Sequence, residues 1–330
     1  MIVTLTLNPS IDRTIELPGP LVRGAVQRLG GPPTDVAAGK GVNVTRALGA
    51  AGIASRAVVM ADPHDRFSTL LAADGITAVC VPVAAPVRTN LAITEPDGTT
   101  TKLNEPGPEL DAAAERRMLA ALGDAAAGAD WLVISGSLPA GTRTSIVVDA
   151  IDAARRAAPR IRVAVDTSGP ALASAVTHGV DLVKPNEEEL EELLGLARGA
   201  IAGLDAAATA ARALVGRGVG AVLLTLGGAG AILADAARTF HATPPPTLVR
   251  STVGAGDASL AGWLIAERRG DDAPGRLAQA VAHGSAAAAL PGTGTPTTAD
   301  ADASRVDVTR LDAGAVPLST AAQSAETQEH

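Results

Sequence analysis

Trp131-Leu132-Val133-Ile134-Ser135 and Arg162-Val163-Ala164-Val165-Asp166 are two short β-branched runs, and Thr144–Ala157 between them carries a helical hydrophobic period. A strand, a helix of roughly 10–15 residues and a second strand make a βαβ unit, which sets the two strands parallel in one sheet. The same rhythm continues in both directions. Upstream, Ile2–Leu7 and Arg56–Met60 read as strands around a helix over Gly41–Ala51 closed by Gly52. Asp65–Ala73 reads as a helix stopped by Gly75, and Glu109–Ala127 as another. Downstream, Val180–Val183, Ala221–Thr225 and Ala229–Ala234 read as strands, followed by helices from Gly254 to about Arg268 and from Arg276 to Ala289. The expected fold class is α/β with a mainly parallel sheet flanked by helices.

Two segments interrupt this order. Asp12–Thr34 lacks helical period and carries Gly and Pro, and Val87–Leu103 reads as strands Asn90–Thr94 and Thr99–Leu103 turned at Asp97-Gly98. They predict a small β lid, built from about residues 12–34 and 87–103, standing off the main sheet. The lid and sheet together define one expected domain over 1–311. From about Asp312 the composition turns to Ala, Ser, Thr, Gln and Glu without periodicity, which reads as a disordered tail over 312–330.

With 330 residues, 47% hydrophobic and 19% charged, the chain as a whole is not intrinsically disordered. Its formal net charge of −8 opposes nucleic-acid binding, which needs a basic face, and 1% aromatic residues leave no stacking platform for bases. The single Cys80 excludes a disulfide within the chain, and the five histidines show no ligand spacing. Met1–Leu7 lacks the basic and apolar regions of a signal peptide, and Asp124 and Asp130 interrupt the best candidate for a membrane span. The expected location is the cytoplasm, with no membrane partner.

Glycine-rich turns carry the chemistry. Ser251-Thr252-Val253-Gly254-Ala255-Gly256-Asp257 stands at the mouth of a helix, where small residues leave backbone N–H groups free for an anion. Asp257 would repel that anion. It either takes a proton from a hydroxyl attacking a phosphate or merely matches the positive end of the helix. Ala38-Gly39-Lys40-Gly41-Val42-Asn43 also opens a helix, with Lys40 and Asn43 on one face; it is either a ligand site or a surface turn, and it is not a P-loop. Thr225-Leu226-Gly227-Gly228-Ala229-Gly230 is a close approach to a ligand or a tight hairpin, and is no dinucleotide fingerprint. Lys184-Pro185-Asn186-Glu187-Glu188-Glu189 puts Asn186 and Glu189 where they can face a hydrated Mg²⁺, close a capping box, or both. Arg88 and Lys102, on the lid, either reach a second phosphate or are solvated edge charges. Ser135–Pro139 and Asp166–Gly169 also follow strands, so all these turns are expected at one carboxyl edge of the sheet.

In order and spacing, Thr6-Leu7-Asn8-Pro9 with Asp12, Gly39-Lys40-Gly41 with Asn43, Arg88-Thr89-Asn90, Ser135–Pro139, Lys184–Glu189 and Gly254–Asp257 resemble the ribokinase-like, or PfkB, carbohydrate kinase family, from about Met1 to Thr298. The resemblance implies a ribokinase-like three-layer sandwich with a small β-sheet lid. Asn8-Pro9 with Asp12, and Lys40 with Asn43, are similar to the phosphosugar branch. There Arg88–Leu91 and Lys102–Gly107 look most like the 1-phosphofructokinases, with tagatose-6-phosphate kinases and minor 6-phosphofructokinases as close relatives. The implied reaction is phosphorylation of fructose 1-phosphate to fructose 1,6-bisphosphate, with ATP as co-substrate and Mg²⁺. Asp257 would be the base, and Gly254, Ala255 and Gly256 the anion hole. Lys184, Asn186, Thr225, Gly227 and Gly230, with Gly254 and Gly256, would serve ATP, and Glu189 Mg²⁺ through water. Asp12, Gly39, Lys40 and Asn43 would hold the sugar, with Arg88, Lys102, Asn104 and Ser137 completing the substrate site. The resemblance also implies a homodimer formed through the lids. Ala38 departs from the pattern, where a second Gly is usual, and His283-Gly284 stands where many members place an adenine-contacting polar residue, so the base contacts stay unassigned.

Overall fold

The chain opens with β1 (Ile2–Thr6), leaves for β2 (Ser10–Glu16) and β3 (Thr34–Ala38), and returns through α1 (Lys40–Ala50) to β4 (Ser55–Met60). α2 (Arg66–Ala73) leads to β5 (Ala78–Val81), and β6 (Arg88–Thr94) and β7 (Thr100–Asn104) form a hairpin. Next come α3 (Ala112–Ala126), β8 (Trp131–Ser135), α4 (Ile146–Ala157), β9 (Arg162–Asp166) and α5 (Gly169–His178). β10 (Leu182–Val183) is followed by α6 (Glu187–Leu194) and α7 (Leu204–Val215). β11 (Ala221–Thr225), β12 (Ala231–Asp235) and β13 (Thr239–Thr243) then precede α8 (Ala255–Arg269), α9 (Ala273–Ala288) and β14 (Asp307–Leu311). This computed structural model describes residues 1–290, 292 and 294–311. The tail expected over 312–330 lies outside the described residues.

Among the described residues ten strands make one sheet, in the order β14-β13-β12-β11-β10-β9-β8-β1-β4-β5. From β5 to β11 every pairing is parallel, and β11 to β14 are antiparallel. β1 shows why both faces are covered. Its Val3 and Leu5 enter a core with Met118 and Leu122 of α3 and Ile146 and Ile151 of α4. Ile2, on the other face, packs with Val44 and Leu48 of α1, Leu260 and Leu264 of α8 and Leu277 of α9. Two apolar faces on one strand are what a parallel sheet between helical layers requires. No helix among the described residues is long and apolar enough to cross a membrane.

A second sheet, β3-β2-β6-β7, is the lid. β2 and β6 pair in parallel, and the outer strands are antiparallel to them. A small core of Ile11, Ala37, Val42, Phe67 and Val87 roots it on α1 and α2. The expected segments contain β6 whole and most of β2 and β7, but the lid sheet begins earlier, at Ser10, β3 runs on to Ala38, and β7 reaches Asn104. β13 and β14 have no counterpart among the expected strands. Thr239-Phe240-His241-Ala242-Thr243 and Asp307-Val308-Thr309-Arg310-Leu311 have too few apolar side chains to signal strands, and they form through their ladder partners.

Candidate active site

The parallel strands all end at one edge, and there a cavity of about 790 Å³ opens between the main sheet, the lid and the start of α8. Asp12, Gly39, Lys40, Asn43, Arg88, Lys184, Asn186, Glu189, Thr225, Gly227, Gly230, Gly254, Ala255, Gly256 and Asp257 all line it. Crevices at the carboxyl ends of strands are where open α/β sheets bind ligands, because helix starts and strand ends both present unpaired backbone groups there.

At the centre stand two carboxylates and two ammonium groups. Asp257, in the first turn of α8, is 6% exposed and accepts a 2.8 Å hydrogen bond at Oδ2 from Asn43 Nδ2. Asp166, the last residue of β9, is fully buried. Lys40 Nζ donates to its Oδ1 at 2.8 Å, and Lys184 Nζ stands 3.1 Å from its Oδ2. The surroundings divide the two acids. Burial, and then the charge of Asp166, push the Asp257 carboxyl up to about 7, against the Asn43 hydrogen bond and the charges of Lys184 and Lys40. Asp166 is buried as deeply, but Lys184 and Lys40 outweigh that burial and hold its carboxyl below the ordinary range. Lys40 is raised in turn: burial opposes its charge, and Asp166 more than compensates.

Local sequence explains the close fit. Gly39 caps α1 at φ 130°, and a methyl there would fall 2.8 Å from Thr6 Cγ2. Ala38 is instead an ordinary residue at the end of β3, opposite Ser10 and 1% exposed, so nothing at that position calls for a second glycine. In the Gly254–Asp257 turn a methyl on Gly256 would sit 3.2 Å from Lys184 Nζ; the bare backbone lets the ammonium lie against the start of α8. The first amides of α8 have no preceding helical turn to bond, and they face the same space.

On the lid side Asp12 Oδ1 accepts from Ser10 Oγ at 2.8 Å and Asn90 Nδ2 at 3.0 Å. Arg88 Nη1 donates to the Glu105 carbonyl at 2.9 Å, while its buried Nε has no protein partner. Half-burial lowers the pKa of this guanidinium against the pull of Asp12 and Glu105. Lys102, Asn104 and Ser137 do not line the cavity. Lys102 and Asn104 stand opposite Ala92 and Asn90 in the ladder, on the polar face of the lid, and are exposed; Ser137 accepts from Asn8 Nδ2 at 3.2 Å.

On the far side β11 and β12 form a hairpin whose turn, Gly227–Ala229, is a single 3₁₀ turn, as the hairpin reading of this stretch expects, and its glycines line the cavity. Pro244–Pro246, Val249, Val281 and Ala288 give that end an apolar wall. His283 does not line it; it is buried in α9, bonded to Gln279, and its pKa is lowered by burial. Asn186 and Glu189 form a reciprocal capping box, Glu189 N to Asn186 Oδ1 at 2.8 Å and Asn186 N to Glu189 Oε2 at 3.0 Å, and both still face the cavity. Among the described residues no cluster of three His, Cys, Asp or Glu side chains can hold a metal on protein ligands alone. The donor set suits a cation that keeps its own waters and rests mainly on a ligand's phosphates, as Mg²⁺ does.

In the sequence Asp166 is only part of a turn after a strand, and Ser10 carries no signal of its own. Each becomes recognisable through partners on other elements, 126 residues away for the Lys40–Asp166 pair.

The cavity therefore has a polar end under the lid, an apolar end beside β13, and between them the glycine-rich turn at the start of α8, next to a carboxyl pushed up to about 7. Residues 5–300 match the pfkB family carbohydrate kinase profile. The chain is 38% identical over 275 residues to a protein named 1-phosphofructokinase from Rhodobacter capsulatus, covering 82% of this chain and 85% of that protein. It is 32% identical over 297 residues to the ATP-dependent 6-phosphofructokinase isozyme 2 of Escherichia coli strain K12, covering 88% and 94%. A crystal structure of phosphofructokinase-2 from Escherichia coli in complex with substrates and products superposes with a TM-score of 0.83 at 31% identity, over 91% of this chain and 96% of that one. The ribokinase-like sandwich, the lid and the match along the sequence agree: this chain belongs to the pfkB family of carbohydrate kinases, phosphotransferases that use ATP as co-substrate.

Proposed function

We propose that the protein phosphorylates the C6 hydroxyl of fructose 1-phosphate, giving fructose 1,6-bisphosphate and ADP. One observation carries this reading: a buried carboxylate with a midpoint of about 7 adjoins the anion-binding turn, between a polar and an apolar end of one cavity. The choice of sugar is supported by higher identity to a relative named 1-phosphofructokinase than to one named for the 6-phosphate.

Asp257 takes the proton of the acceptor hydroxyl as its oxygen bonds the γ-phosphorus, and the bond to the bridging oxygen of ADP breaks. The amides of Gly254, Ala255 and Gly256 receive the charge on the transferred group. A lost donor in such a site costs on the order of 10²–10³ in kcat, and a positioned base adds about 10²–10⁴-fold. Lys184, against Gly256, sits beside the same phosphates. Thr225, Gly227 and Gly230 line the nucleotide, and its base lies along the wall of Pro244–Pro246 and Val249. Asn186 and Glu189 would hold Mg²⁺ through water, and the ion would supply neutralisation of phosphate charge when bound with ATP. Asp12, Gly39, Lys40 and Asn43 orient the sugar, and Arg88 binds its existing phosphate. Lys102 and Asn104, on the same lid face, come within reach as the lid closes, and Ser137 borders this site through Asn8.

The same reading places the enzyme in the cytoplasm as a homodimer joined at the lids. In favour of that contact, the lid face turned away from Asp12 carries Leu91, Ile93 and Leu103, the last 55% exposed. The deciding experiment is ADP release with fructose 1-phosphate, fructose 6-phosphate, tagatose 6-phosphate and ribose at equal concentrations. Fructose 1-phosphate should give the highest kcat/KM. A larger value for either 6-phosphate would reassign the substrate, and no release with any sugar would end the kinase reading.

A further inference from the structure

Asn43 donates to Asp257, and what makes it do so lies outside the cavity. An asparagine amide has nearly the same shape when its oxygen and nitrogen exchange places, so neighbours decide which atom faces which way. Here the second neighbour is Arg46, one turn along α1, whose Nη1 donates to Asn43 Oδ1 at 3.0 Å. A guanidinium offers no acceptor. A flipped Asn43 would set its NH₂ against the N–H groups of Arg46 and its oxygen against the Asp257 carboxylate, losing both hydrogen bonds.

Arg46 is itself held from two other elements. Its Nη2 donates to the Ala37 carbonyl in β3 at 2.5 Å and to Asp74, just after α2, at 2.9 Å. Arg46 does not line the cavity. We propose that Arg46 is a positioning residue that locks the Asn43 amide with its nitrogen toward Asp257, so that the foot of the lid and the end of α2 set the hydrogen bonding of the central carboxylate. Once the lock is gone, Asn43 can flip to accept from the protonated Asp257 carboxyl, so its hydrogen bond no longer favours the ionised form alone. The charged groups facing Asp257 are otherwise Asp166 from β9, Lys184 from the end of β10 and Lys40 from α1, and a change at Arg46 leaves all three in place.

The kinetic meaning of the lock rests on Asp257 being the base, but the lock can be measured without turnover. In protein labelled with ¹³C at aspartate carboxyls, the Asp257 midpoint should rise by about one pH unit in Arg46→Met, because Asn43 can then bond the protonated form as well as the ionised one. Asn43→Ala should give a similar rise, and adding Arg46→Met to it should give none further. An unchanged midpoint in Arg46→Met overturns the proposal. So does a further rise in the double variant, which would mean that the arginine acts directly by its charge. In the wild-type chain, which needs no variant to fold, the Asn43 side-chain amide protons should titrate with the Asp257 midpoint; amide protons insensitive to that titration also overturn it. Wild-type turnover in Asp257→Asn would instead remove the base and leave the lock standing.

Discussion

Replacing Asp257 by Asn keeps the shape of the side chain and removes a buried acid whose midpoint is pushed up to about 7. Turnover should fall by about 10²–10⁴-fold while the sugar and ATP still bind, because only proton transfer in the transition state is lost. Stability should move the other way. The folded-state midpoint of about 7 lies above the ordinary 3.8, so between those values the native protein holds a proton that the unfolded chain has released. The wild type therefore loses stability as pH rises from about 4 to about 7, and stays at the lower level above that window. At roughly 1.4 kcal/mol per pH unit the cost at pH 8 is on the order of 4 kcal/mol, and the Asp257→Asn variant escapes it because an amide never ionises. The oxygen of the introduced amide can still accept from Asn43, so the fold loses no hydrogen bond. Denaturant unfolding of both proteins at pH 8 and pH 4.5 reads this difference: Asp257→Asn should be the more stable at pH 8 and nearly equal at pH 4.5. Equal stability at both values, or turnover within a few-fold of wild type, would refute the reasoning that burial and Asp166 load this carboxylate for proton transfer.

Arg88→Ala should raise KM for the phosphosugar at least tenfold with KM for ATP little changed; initial rates against each substrate check this, and equal effects would take Arg88 off the sugar phosphate. Asp166→Asn removes the negative charge that pushes Asp257 up, so the acidic limb of the kcat/KM profile, near pH 7 in the wild type, should move to lower pH. Its plateau should also drop, since Lys40 and Lys184 lose the carboxylate that holds them. Ala38→Gly, which restores the glycine usual at that place, should cost about 0.5–1 kcal/mol in denaturant unfolding and leave kcat unchanged, because Ala38 sits in regular strand geometry.

The layered fold was legible because its signals are local: Val3 and Leu5 alternate with Ile2 within five residues, and Trp131–Ser135 and Arg162–Asp166 announce a βαβ unit by themselves. The glycine-rich turn at the head of α8 was legible for the same reason, since Gly254–Asp257 is contiguous. β13 and β14 were not, because their ladder partners rather than their side chains make them strands. Within the site, a Lys at the start of a helix and an Asp at the end of a strand look alike wherever they occur. Nothing in the spacing of Lys40, Asp166, Lys184 and Asp257 reveals that both lysines attach to the first aspartate and neither to the second. Packing makes that choice, and the chemistry follows from it. An acid clamped by two ammonium groups is held below the ordinary carboxylate range, whereas one whose burial and like-charged neighbour outweigh an amide donor and the more distant ammonium charges holds its proton until about pH 7. Exchanging those surroundings would leave every motif intact and abolish the base, so the motif identifies the candidates and the ion pairs decide between them.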